Sequence, residues 1–157
     1  MLHIVLADSR LVWRVISYLQ RDAVSKGILK GKDDDTQSNF GSFWHNMDEF
    51  MPAKHQKRLY VVLDTCHRLI AYFIARESLE NDGCEGTLSI NIFEVLPKYR
   101  KKGVGSFIVS WLKDKACTAG FNSLKVLPAN GSETFWNKKG FSTWGDFERG
   151  FLLLPIA

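Results

Sequence analysis

The chain has 157 residues, 45% of them hydrophobic, which suits one domain with a sizeable core and excludes a disordered or fibrous protein. A net charge of +4 helps capture an acidic ligand but is too modest to make nucleic-acid binding the default reading. Cys66, Cys84 and Cys117 are widely spaced without a Cys-x-x-Cys pair, so neither a disulfide framework nor a metal site is expected, and a cytoplasmic setting fits.

Leu2 to Leu6 reads as a first strand, after which Asp8 or Ser9 caps a helix with apolar positions Leu11, Val12, Val15, Ile16 and Leu19 and a stop at Gly27. Asp8, Arg10 and Arg14 interrupt the N-terminal apolar run, and no stretch of about 18 apolar residues occurs anywhere, so no signal peptide or membrane span is expected. The polar stretch Lys30 to Gln37, containing Asp33, Asp34 and Asp35, reads as a loop. Phe40, Phe43, Trp44, Met47, Phe50 and Met51 then recur at helical spacing, and Pro52 closes that second helix.

Leu59 to Leu63 and Leu69 to Ile74 are β-rich runs flanking Asp64 to Arg68, an antiparallel hairpin signature. In the next strand Leu88 and Ile90 alternate with Ser89 and Asn91, but Phe93 and Val95 then continue one residue out of phase. A β-bulge near Ile92 and Phe93 would explain the slip and put Ser89, Asn91 and Glu94 on one face. The alternative is a strand buried on both faces, with Glu94 near its exposed end.

The segment Leu96 to Ser106 joins this strand to an amphipathic helix through Arg100, Lys101, Lys102, Gly103 and Gly105. Helix N-termini carry partial positive charge and unpaired N–H groups, so three adjacent cations are repulsive there unless an external anion is held, most simply a phosphate or pyrophosphate. A bulky side chain at Gly103 or Gly105 would intrude on the path of that anion. Val104, Phe107, Ile108, Trp111 and Leu112 mark the helix's core face, and Gly120 ends it. Ser123 to Leu127 reads as a strand and Glu133 to Lys139 as a short helix. Strands around Phe141 to Trp144 and Phe147 to Leu154, separated by Gly145 and Asp146, complete the chain.

Neither a Gly-x-x-x-x-Gly-Lys-Ser/Thr motif nor a third dinucleotide-type glycine is present. The arrangement of strand, Arg100-x-x-Gly103-x-Gly105 and helix resembles the GNAT superfamily of acyl-CoA-dependent N-acyltransferases. The likeness continues through Val126 to Asn130 and Phe135 to Phe141, and residues 86 to 141 carry its specific part. It implies a single α/β (α+β) domain over 1–157, with a mixed, mostly antiparallel central sheet and helices on both faces. It also implies acetyl-CoA as co-substrate, its pyrophosphate held by Arg100, Lys101, Lys102, Gly103, Val104, Gly105 and Ser106. Val95 would offer a backbone N–H to the thioester oxygen, and Asn130 and Trp136 would contact the thiol end.

The implied reaction is direct attack by a primary amine, of a small molecule or a protein, on acetyl-CoA in a ternary complex, which requires a proton acceptor. Two family positions that often carry Glu are Ser89 and Lys125 in this chain, and the usual acidic Tyr is Trp136, whose indole is no acid at neutral pH. Glu94 is the remaining base candidate, acting directly or through a water held by Ser89 and Asn91; a solvated structural role is the alternative. Asp33 to Asp35 would attract a cationic acceptor or merely cap the second helix, and His45 and His55 flank that helix. The expected state is monomer or homodimer, with no membrane. A second reading is a non-catalytic CoA-binding or interaction module. A third is nucleic-acid contact through Arg100, Lys101, Lys102, Lys138 and Lys139, which would weaken steeply with salt.

Overall fold

The computed structural model describes residues 1–27, 57–77, 86–129, 131–143 and 151–156. The expected second helix with Asp33 to Asp35, His45 and His55, together with Cys84, Asn130, Gly145 and Asp146, lies outside them. In chain order the elements are β1 (His3–Leu6), α1 (Ser9–Ser25), β2 (Lys57–Leu63), β3 (Leu69–Glu77), β4 (Thr87–Val95), α2 (Val104–Ala119), β5 (Ser123–Val126), α3 (Glu133–Lys138) and β6 (Leu152–Pro155). The six strands form one sheet in sequence order, antiparallel throughout except for the parallel pair β4 and β5. That pair needs a long crossover, which α2 supplies.

Each helix is fixed by residues at its ends and along one stripe. The Asp8 carboxylate accepts the Leu11 N–H at 2.9 Å, satisfying one of the orphan donors at the start of α1. Val12, Val15 and Ile16 then pack against Leu59, Val61, Leu63, Tyr72 and Ile74 on one side of the sheet. On the other side, Val104, Ile108, Val109, Leu112 and Ala116 of α2 pack against Tyr60, Val62, Phe73, Leu88, Ile90 and Leu124. Leu112 and Ile108 are fully buried, each stabilising the fold by roughly 1.5–3 kcal/mol relative to an exposed side chain.

The phase slip in β4 is a bulge, set one or two residues earlier than the sequence suggests. Ile92 pairs with Ile74 and Ile90 with Ala75, which leaves Asn91 as the extra residue. Leu88, Ile90, Phe93 and Val95 therefore all face the α2 core, whereas Ile92 and Leu96 belong to the α1 core.

At the C-terminal end, the expected strand from Phe147 begins at Leu152 among the described residues, and Ser142 makes only an isolated bridge to Leu153. Phe141 cannot extend as a strand because it is spent on closing α3: its N–H bonds the Trp136 carbonyl at 3.1 Å and its ring is buried.

Candidate active site

The sheet splits where β5 stops. Pairing between β4 and β5 ends at Ile90 with Val126, while β4 runs on to Val95. Leu96 N–H bonds Ile70 O at 3.0 Å, which makes Val95 and Ala71 a non-hydrogen-bonded antiparallel pair. The N–H and carbonyl of Val95 therefore point away from β3, toward the side that β5 has left. A cavity of about 1030 Å³ fills the split. Its lining includes Phe93 and Val95 from the α2 face and Ile92 and Glu94 from the α1 face, so it passes from one side of the sheet to the other.

One end of this cavity is the start of α2. After the 3-10 turn Pro97–Tyr99, the backbone is left-handed at Lys101 (φ 60°) and Gly103 (φ 85°). Such turns bring successive N–H groups to the inside of a concavity. The first N–H bonded within α2 is that of Phe107, to Gly103 O at 3.0 Å, so Val104, Gly105 and Ser106 have no intrahelical acceptor. Unlike α1, this helix has no side-chain cap, and like α1 it has no acid in its first turn.

The two glycines serve different ends. A Cβ at Gly103 would meet nothing within 4 Å, so its requirement is the positive φ. A Cβ at Gly105 would lie 3.0 Å from Phe135 Cζ. Gly105 thus lets α2 approach α3, and a side chain there would meet Phe135 before it reached an anion.

At the other end, the Glu94 carboxylate accepts the Tyr72 hydroxyl at 2.9 Å and faces Arg100 Nη2 at 3.5 Å. Arg100 Nε also donates to Val95 O at 2.8 Å. Burial, and then the charge of Glu94, raise the Tyr72 pKa far above the ordinary phenolic value, so Tyr72 stays a neutral donor. Tyr18 of α1 stands edge-on to Tyr72 with ring centroids 6.4 Å apart, and its pKa is raised by the same two causes.

Of the residues singled out in the sequence, the cavity brings together Asn91, Glu94, Val95, Arg100, Lys101, Gly103, Val104, Gly105, Ser106 and Trp136. Ser89 and Lys102 are not in its lining, and Asn130 lies outside the described residues. Ser89 instead sits between Arg76 and Lys125 in the paired part of the sheet. Trp136 is buried in an aromatic cluster, with centroids 4.9 Å from Phe93, 5.0 Å from Phe135 and 5.1 Å from Phe141. The sequence reasoning missed Tyr72, whose only signal was a polar tip inside an otherwise apolar strand.

Residues 32–141 match the model of the acetyltransferase (GNAT) family. The chain belongs to that family. No curated protein sequence matches it. Its fold is shared with a GNAT acetyltransferase from Staphylococcus aureus Mu50 at 12% identity and a TM-score of 0.66, with both chains covered completely. The ribosomal-protein-S18-alanine N-acetyltransferase from Escherichia coli is 13% identical with a TM-score of 0.64, covering 100% of this chain and 95% of that one. A GNAT acetyltransferase from Brucella melitensis in complex with acetyl-CoA is 14% identical with a TM-score of 0.65, covering 100% and 89%. This GNAT protein is thus an acyltransferase, of a family that uses acetyl-CoA and acts on amines. Among the described residues no helix is long and apolar enough to cross a membrane, and no group of three metal-ligating side chains occurs.

Proposed function

We propose that this protein uses acetyl-CoA to acetylate a primary amine, of a small molecule or a protein, by direct attack in a ternary complex. The observation that carries the reading is that one cavity holds the uncapped α2 N-terminus at one end and the Glu94 carboxylate at the other. A pyrophosphate fits the first end. Three backbone donors lack helical partners, Gly103 leaves open space beside them, and Lys101 adds positive charge.

When bound, acetyl-CoA supplies an acetyl group activated by a thiolate leaving group. The Val95 N–H, turned toward the split, is placed to stabilise negative charge developing on the acyl oxygen. Glu94 accepts a proton from the incoming ammonium at a carboxylate oxygen, directly or through one water beside Asn91. Trp136 and Phe93 wall the cavity and keep water from the reacting centre. The amine arrives from the α1 face, where Glu94 lies with Tyr18 and Tyr72.

Calorimetry with acetyl-CoA, followed by thiol release against a panel of amines, tests the reading. Failure to bind acetyl-CoA removes it. Binding without transfer to any amine in the panel would refute amine acetylation while leaving the CoA site standing.

A further inference from the structure

The three cations of the junction are not equivalent. All three are exposed, but the Arg100 guanidinium turns back along β4. Its Nε donates to Val95 O at 2.8 Å and its Nη2 lies 3.5 Å from Glu94 Oε1. We infer that Arg100 is a positioning residue for the catalytic end of the cavity, holding the Val95 backbone and the Glu94 carboxylate in one planar fork, and is not a ligand of the anion.

Geometry requires the fork. Val95 presents its N–H and its carbonyl on the same side of the strand, so a bond to the carbonyl fixes the direction of the N–H as well. No described β5 residue pairs with this part of β4, and Arg100 supplies the restraint that a neighbouring strand would normally give. The carboxylate is held on its other oxygen by Tyr72 from β3. The remaining ionisable groups near it come from α1: Tyr18, with Asp22 and Lys26, which pair with each other at 2.8 Å. An arginine swung toward a phosphate would have to give up both of its present partners.

This inference rests on the roles proposed for Val95 and Glu94, and the variants R100K and R100A separate the two. Lysine keeps the charge but cannot span two acceptors with a rigid fork. If Arg100 positions, both variants keep CoA affinity within about twofold while kcat falls about 10- to 100-fold. If Arg100 instead attracts the anion, R100K retains wild-type kcat and R100A loses CoA affinity; either result overturns the inference. The side chain is half exposed, so both variants should fold, which thermal melting confirms. A wild-type protein that binds CoA but acetylates no amine defeats the proposed function by itself, and weakened CoA binding in R100A would still overturn the positioning role of Arg100.

Discussion

Gly103 and Gly120 stand at opposite ends of α2 with nearly the same backbone, φ 85° and 83°, and an added Cβ would meet nothing within 4 Å at either. Alanine at each position therefore carries the same local cost without a clash. A left-handed conformation costs a non-glycine residue roughly 1–2 kcal/mol. For a chain of this length that lowers Tm by about 2–8 °C. Of these two, Gly103 lines the cavity and Gly120 does not. If Gly103→Ala misaligns one charge-assisted N–H bond to the pyrophosphate, the loss is about 1.5–3 kcal/mol, which is about 10- to 100-fold in CoA affinity. Differential scanning fluorimetry and isothermal titration of both variants read the two quantities separately. Equal Tm losses with weakened CoA binding only in Gly103→Ala are expected. Equal CoA affinities in the two variants would refute the anion cradle, and an unchanged Tm would refute the strain argument.

Other outcomes follow from the same geometry. Glu94→Gln should lower kcat by about 10²- to 10⁴-fold with acetyl-CoA affinity intact, since the carboxylate lies on the α1 side of the sheet, bonded to Tyr72, and α2 packs on the other; steady-state kinetics with any accepted amine reads this. Tyr72 keeps its proton when folded, whereas an unfolded tyrosine ionises near pH 10, so its contribution to stability is full below about pH 10 and falls above it. Urea unfolding at pH 8 and pH 11 should show a smaller alkaline loss in Tyr72→Phe than in wild type. Asp8→Ala removes the α1 cap and should cost about 0.5–2 kcal/mol in chemical denaturation, without effect on CoA binding.

Local patterns told the sequence reading most where one element decides the matter. Leu88 with Ile90 and Phe93 with Val95 are both apolar pairs, and only an extra residue reconciles them on one face; the structure identifies that residue as Asn91. The helix stop at Gly120 was legible for the same reason, whereas Gly103 was read as leaving room for an anion and its left-handed backbone emerged only in the structure. What stayed hidden depends on pairing between distant strands. Tyr72 reaches Glu94 across 22 positions of sequence, and the outward turn of the Val95 N–H follows from its register with Ala71. Arg100 looks like its two lysine neighbours in one dimension, and only its two acceptors, both upstream on β4, set it apart. The relay imagined through Ser89 failed to form around the cavity because that position lies within the paired part of the sheet.

The extra residue in β4 also acts as a reading frame. Side chains on a strand alternate strictly, so pairing Asn91 as an ordinary strand residue, without the bulge, would turn every later residue over. Glu94 would then be driven among Phe73 and Trp136, and Phe93 and Val95 would be delivered to the face of α1. Deleting Asn91 would straighten the strand but leave Phe93, Glu94 and Val95 on their present faces, so the bulge is a place in β4 where one codon can be lost without exchanging the acid for grease at the reacting centre.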